Sequence, residues 1–132
     1  MWPTRFCQAT FQVYIATIMT LSRHFLCHKH DIPNYQARGF SIDSSPDKIE
    51  LLLIRQDNQV QAYKNNCPHL GIPLNWQPDE FMSLEGTHLQ CSTHGALFSL
   101  EDGHCIAGPC TGQNLTVLAL EQRDDNELWL QL

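Results

Sequence analysis

Two short boxes that pair a cysteine with a histidine constrain the fold of this chain more than any other feature. The first is Cys67-Pro68-His69-Leu70-Gly71 and the second is Cys91-Ser92-Thr93-His94-Gly95. Each offers one thiolate and one imidazole, and each has a glycine after the histidine that lets the backbone turn tightly. Six cysteines could form disulfides in a small secreted domain. Closely spaced Cys/His pairs without a clear secretory signal point first to a metal.

Two metal groups accept two thiolates and two imidazoles. One is a structural zinc ion, which is tetrahedral, although C-x-H is an unusual spacing for zinc loops. The other is a [2Fe–2S] cluster in which two thiolates hold one iron and two imidazoles hold the other. The donor types alone leave both open.

The chain around the boxes predicts short antiparallel strands. Residues 49–55 form an apolar run, Gln56-Asp57-Asn58 predicts a turn, and 59–64 alternate between apolar and polar positions, so we expect a hairpin there. Short segments with turn signals between them continue to the C-terminus, and no long stretch has helical periodicity. We therefore expect an all-β fold, a small antiparallel sandwich or barrel. The exception is 66–82, whose three prolines predict a long functional loop.

The distribution of charge excludes some partners. The 132 residues carry a net charge of −6, but 31–132 contain fourteen acidic and five basic residues, a net −9. An acidic body argues against nucleic-acid binding, which needs cationic side chains to neutralise phosphate. It is compatible with a protein partner that presents a basic patch.

The sequence resembles the Rieske iron–sulfur family in both boxes and beyond them. His94-Gly95-Ala96-Leu97-Phe98 leads to Gly103 and then to Gly108-Pro109, which follows the family pattern C-x-x-H-G-x-x-F … G … G-P. In that pattern the last proline begins a loop over the cluster. The stretch 26–33, with Arg38-Gly39-Phe40, is similar to the first strand of small bacterial Rieske ferredoxins. The resemblance covers about residues 21–132.

The resemblance implies a cofactor, a ligand set and a fold. The cofactor is one [2Fe–2S] cluster per chain. Cys67 and Cys91 would bind the inner iron, and His69 and His94 would bind the outer, more exposed iron. The fold is a small antiparallel sandwich or barrel of Rieske type, with the cluster held by two loops at one tip.

The resemblance also indicates a branch of the family. High-potential members have a second cysteine in each box and join the two in a disulfide, where this chain has Ile72 and Thr93. They also place a serine and a tyrosine hydroxyl near the cluster, where this chain has Ala96 and Phe98. Hydroxyl donors stabilise the electron-rich reduced state, so their absence predicts a low reduction potential.

This branch implies a one-electron carrier between a flavin-dependent reductase and an oxygenase or another acceptor. We expect a non-catalytic, cytoplasmic component of an oxidoreductase system. One alternative is the Rieske-like small subunit of a larger oxidoreductase such as nitrite reductase. A more remote one is a zinc-stabilised binding module.

Residues 1–20 are predicted to be an N-terminal extension outside the domain, which would cover 21–132. The apolar run 6–21 is interrupted by glutamines and is shorter than a spanning helix needs, so we do not expect a membrane anchor. Met19 could be the true start.

Three further residues near the boxes are predicted to have structural roles. Cys105 and Cys110 are predicted to be small buried residues, with a redox pair or spare ligands as the alternative. Trp76 is predicted to pack the proline-rich loop.

Overall fold

The computed structural model describes residues 23–44, 47–68 and 71–131. This part of the chain contains nine antiparallel β-strands, two single-turn 3-10 helices and no α-helix. The strands are β1 (Arg23–His28), β2 (Ala37–Ser44), β3 (Asp47–Gln56), β4 (Gln59–Lys64), β5 (Leu89–Gln90), β6 (Leu97–Phe98), β7 (Cys105–Ala107), β8 (Val117–Arg123) and β9 (Glu127–Gln131). The 3-10 turns are Lys29–Asp31 and Asp124–Asn126. The predicted all-β class is confirmed.

The larger sheet has six strands in the order β1-β9-β8-β4-β3-β2. It contains the predicted hairpin, in which β3 and β4 are joined by the two residues Asp57 and Asn58. Asp57 has a φ of 54°, in the left-handed region that aspartate and asparagine tolerate best among side-chain-bearing residues. The sheet joins both ends of the domain, because β1 pairs with β9.

The smaller sheet consists of the three short strands β5, β6 and β7. It carries the second Cys/His box in the connection between β5 and β6. The long segment between β4 and β5 contains the first box. Its described residues, 65–68 and 71–88, form no strand, and among them Met82 makes a single bridge, to Leu89. The predicted proline-rich loop is therefore present.

Two apolar cores lie within the fold. The first core, on the side of the small sheet, contains fifteen buried residues, four of which are cysteines: Ala37, Leu52, Ile54, Tyr63, Cys67, Leu74, Phe81, Leu89, Cys91, Ala96, Phe98, Leu100, Cys105, Cys110 and Leu115. The second core is mostly aliphatic and contains Cys27, Ile32, Ile42, Leu51, Leu53, Ala62, Leu128 and Leu130. Alternate residues of β3 enter different cores, as the two-residue repeat of a strand requires. The cysteines of both Cys/His boxes, Cys67 and Cys91, belong to the first core.

Candidate metal centre

The first Cys/His box forms a tight turn directly after β4. The Cys67 N–H donates to the carbonyl oxygen of Ile72 at 2.7 Å, and the Gly71 N–H donates to the carbonyl oxygen of Cys67 at 2.7 Å. Gly71 has a φ of 71°, which a residue with a side chain adopts at a cost. Cys67 is buried at the base of this turn. His69, a predicted ligand, lies with Leu70 outside the described residues.

The second box repeats the same backbone turn. The Cys91 N–H donates to the carbonyl oxygen of Ala96, and the Gly95 N–H donates to that of Cys91, both at 2.9 Å. Gly95 has a φ of 73°. In both boxes the cysteine bonds to the residue five positions later and the glycine four positions later bonds back. The two cysteines are therefore held in equivalent backbone environments although the box sequences differ.

Among the predicted ligands that the structure describes, the two cysteines are more deeply buried than the histidine. Cys67 and Cys91 are each at most 2% exposed and belong to the same core, whereas His94 is exposed. A mixed cluster needs this order, with the anionic thiolates on the inner iron and the neutral imidazoles toward the surface. No three His, Cys, Asp or Glu side chains converge on a point within 23–44, 47–68 and 71–131, a set that does not include His69. The four-ligand assignment stays a prediction that the donor chemistry and the paired turns fit.

Two hydrogen bonds join the loops of the two boxes, and one of them involves Thr93. The Ser92 N–H donates to the carbonyl oxygen of Leu74 at 2.7 Å. The Trp76 Nε1–H donates to the Thr93 hydroxyl at 3.3 Å. These two bonds connect the loop of the first box to the turn of the second.

Trp76 itself does not pack into the proline-rich loop as the sequence predicted. Its side chain is 71% exposed, whereas that of Leu74, two residues earlier, is fully buried. The Leu74 N–H donates to the Asn65 side-chain oxygen at 2.8 Å, which connects this loop to the residue that follows β4. Because Leu74 fills the core position, the larger indole is left on the surface next to the box that carries His94.

The Gly108-Pro109 segment closes over the second box. A Cβ atom on Gly108 would lie 2.7 Å from the Cα atom of Ala96, and the φ of Gly108 is 101°. Only glycine allows the backbone to approach Ala96 this closely. The predicted covering loop thus packs directly against the turn that presents Cys91.

Cys105 and Cys110 are buried as predicted, but they also touch each other. Their exposures are 0% and 1%, and their Sγ atoms are 3.1 Å apart. Burial raises the pKa of the Cys110 thiol to about 12, and its hydrogen bonds with Cys105 and Cys67 act in the same direction. The redox-pair alternative implied such a contact, but local pattern could not predict it, because a spacing of five residues brings two side chains together only when a particular loop joins them.

The chain segments next to the two boxes carry no formal charge. The segments 67–78, 91–100 and 103–120, which surround the two boxes, contain no Asp, Glu, Lys or Arg. All charged side chains of the domain therefore lie on other parts of the chain.

Comparison with known sequences identifies the family. The profile of the Rieske [2Fe–2S] domain matches residues 22–122. The chain belongs to this family, which is defined by its [2Fe–2S] cluster. No curated protein sequence matches the chain.

Solved structures resemble this fold in two different ways. The chain covers 91% of a chain in a complex of reduced oxygenase and oxidized ferredoxin in carbazole 1,9a-dioxygenase, at 21% identity, a TM-score of 0.62 and 82% coverage of this protein. It covers 96% of the ferredoxin of carbazole 1,9a-dioxygenase from Nocardioides aromaticivorans IC177, at 17% identity, a TM-score of 0.58 and 81% coverage of this protein. In contrast, it spans only 29% of the terminal oxygenase of carbazole 1,9a-dioxygenase from Novosphingobium sp. KA1, at 16% identity, a TM-score of 0.65 and 82% coverage. At these identities the likeness is one of fold.

The fold adds one finding about membranes. No helix in the described part of the chain is long and apolar enough to cross a bilayer.

Proposed function

We propose that this protein is a one-electron carrier that takes an electron from a flavin-dependent reductase and delivers it to an oxygenase or another acceptor. The observation that carries the proposal is the pair of equivalent turns that bury Cys67 and Cys91 while His94 stays exposed. The match to whole ferredoxin-sized chains supports a carrier rather than a catalytic protein.

The cluster, when bound, accepts and releases a single electron. The residues of this chain determine how the electron enters and leaves. Cys67 and Cys91 would fix the inner side within the core, where water is excluded. His69 and His94 would place the outer side at the surface, so that a partner could approach one edge of the centre.

The exposed surface near His94 is suited to a protein contact. The segments 91–100 and 67–78 contain no Asp, Glu, Lys or Arg, so a contact made through them removes none of their side chains from water as a charge, which would be costly. Trp76 adds a large exposed indole beside Thr93, and tryptophan side chains contribute strongly to binding at protein interfaces. The net −9 of 31–132 would act at longer range, by steering a basic partner toward the domain.

The proposal is tested by stopped-flow oxidation of the chemically reduced protein with a purified Rieske oxygenase as acceptor. We expect rapid transfer that slows as the salt concentration rises, because the screening length falls to about 10 Å at 0.1 M. A protein that binds zinc and is colourless would contradict the proposal. Isolation of the native protein only as a tight subunit of a larger enzyme would favour the subunit alternative instead.

Trp76→Ala separates docking from cluster chemistry. We expect it to keep the iron content and the spectrum but to slow transfer several-fold at low acceptor concentration. Leu84→Ala is the matched control, because Leu84 is fully exposed outside the uncharged segments. An equal effect of both variants would contradict a docking role for the surface at Trp76.

A further inference from the structure

The side chain of Asn65 connects the large sheet to the loop that follows the first Cys/His box. Asn65 lies directly after β4 and two positions before Cys67. Its own N–H donates to the carbonyl oxygen of Glu50 at 2.8 Å, so its backbone is anchored to the neighbouring strand β3. Its side-chain Oδ1 atom accepts the Leu74 N–H at 2.8 Å. Asn65 therefore joins a fixed point of the sheet to a residue beyond the first box.

The hydrogen bonds of the Asn65 amide fix its orientation. A backbone N–H can only donate, so the oxygen of the amide must face Leu74. The Nδ2 atom then faces Asn75 and donates to its Oδ1 atom at 2.9 Å. Asn75 in turn donates through its own Nδ2 atom to the carbonyl oxygen of Gln77 at 2.9 Å. Both polar atoms of the Asn65 side chain thus bond to the loop of the first box.

Leu74 extends this connection to the second Cys/His box. Its side chain is fully buried in the first core, and its carbonyl oxygen accepts the Ser92 N–H at 2.7 Å. Ser92 directly follows Cys91. Leu74 is therefore bonded on one side to the residue two positions before Cys67 and on the other side to the residue next to Cys91. A shift of Leu74 would move the two ligand turns relative to each other.

We propose that Asn65 is a positioning residue, whose side chain holds Leu74 so that the turns of Cys67 and Cys91 are spaced for one cluster. The inference rests on the proposed function, since it takes these two cysteines as ligands. Asn65 is not among the predicted ligands, and it acts through the backbone of Leu74. Groups that orient the ligands of a metal site commonly contribute to metal affinity although they do not bind the metal themselves.

The test compares the full-length, cluster-loaded protein in the wild type, Asn65→Leu, Asn65→Asp and Asn34→Leu. Leucine keeps a branched side chain but accepts no hydrogen bond, whereas aspartate keeps an acceptor oxygen for the Leu74 N–H. Asn34 is the matched control, because its side chain makes the same pair of bonds at the other end of β4. Its Oδ1 atom accepts the Asp57 N–H at 2.6 Å, and its Nδ2 atom donates to the Asp57 carboxylate at 2.9 Å.

Two measurements report on the spacing of the ligand turns. One is the set of g values in the electron paramagnetic resonance spectrum of the chemically reduced protein, which depend on the ligand geometry at the irons. The other is the rate of iron loss to a chelator at a temperature below melting. We expect Asn65→Leu to shift the g values and to lose iron about tenfold faster than the wild type. Asn65→Asp should restore both values, and Asn34→Leu should lower the melting temperature but leave both unchanged.

The g values are the readout that a purely structural role of Asn65 would not move. An iron-loaded Asn65→Leu protein with wild-type g values and a wild-type rate of iron loss would overturn the proposal, as would equal effects of Asn65→Leu and Asn34→Leu. If Asn65→Leu retains no iron, Asn65→Asp decides the question. Wild-type g values in that variant support the proposal, whereas shifted g values or a loss of iron contradict it.

The wild-type spectrum separates this inference from the proposed function. A wild-type protein that shows no paramagnetic signal after reduction would reject the proposed function itself. A normal signal that is unaffected by the substitutions of Asn65 would reject only this inference.

Discussion

The two cores of this domain are stabilised in different ways. The second core is formed largely by aliphatic side chains of long paired strands, among them Leu51 and Leu53 of β3. The first core is covered by loops, and prolines in these loops remove backbone hydrogen-bond donors. Four of the residues of this core are cysteines, which are smaller than leucine or isoleucine. Paired strands and aliphatic burial form one region, whereas turns and a few hydrogen bonds between loops form much of the other. We therefore expect binding of the metal to supply folding free energy mainly to the loop-built region.

The largest effect should follow removal of a predicted ligand from the first core. Cys67→Ser or Cys91→Ser should give colourless protein without iron and a lower melting temperature, because the paired turns lose the group that joins them. Iron analysis and thermal unfolding measure both consequences. The control is Cys27→Ser in the second core, which should keep the colour and full iron content. Unchanged iron content in Cys67→Ser would refute the assignment of this ligand.

A cavity in the second core should lower stability without affecting the ligand turns. Leu53 is fully buried, so Leu53→Ala should cost about 2–5 kcal/mol of unfolding free energy. The folded fraction should still contain one cluster per chain. Val117→Ala, at an exposed position of β8, should change stability little. Urea unfolding combined with iron analysis tests the separation of the two regions, and loss of iron from folded Leu53→Ala would show that they are coupled.

A smaller effect should come from the covering loop. Gly108→Ala should destabilise the protein by about 1–3 kcal/mol more than Gly112→Ala. Both glycines have a positive φ, so both variants share the backbone strain, but only at Gly108 does a Cβ meet a neighbour, the Ala96 backbone. We expect Gly108→Ala also to lose its cluster faster in the presence of a chelator. Equal behaviour of the two variants would contradict close packing of this loop on the second box.

The smallest effect is expected from residues 1–20, which lie outside the described part of the chain. We propose that they are an extension to a domain at 21–132. A shortened chain that begins at Met19 should therefore bind a full complement of iron and melt at the same temperature as the complete one. Failure of this shortened chain to assemble a cluster would move the domain boundary toward the N-terminus.

Local sequence signals predicted much of the fold. The β3–β4 hairpin follows from an apolar run, a polar turn and a return strand, all within sixteen residues. The pairing of β1 with β9 does not follow from sequence, since periodicity reports which face of a strand is buried and not which distant strand it joins. The strand class was thus predictable from local pattern, but the order β1-β9-β8-β4-β3-β2 was not.

The candidate site shows the same limit. The Cys/His spacing indicated Cys67, His69, Cys91 and His94 as a metal set, and the structure gives two of these the same backbone turn. The prediction that Trp76 packs the proline-rich loop was wrong, because local pattern does not report which of two nearby apolar residues is buried, and here it is Leu74. The contact of Cys105 with Cys110 depends on the path of the covering loop, which no local pattern encodes.

The central claim is that two thiolates and two imidazoles of this chain hold a [2Fe–2S] cluster that carries one electron. Coulometric titration of the purified protein, followed by visible absorbance and combined with iron and sulfide analysis of the same sample, tests it most directly. We expect uptake of one electron for each pair of irons, and a midpoint reduction potential near the lower end of the range of about −150 to +300 mV found for such clusters. A colourless protein that contains zinc, or one that takes up no electron in this range, would contradict it.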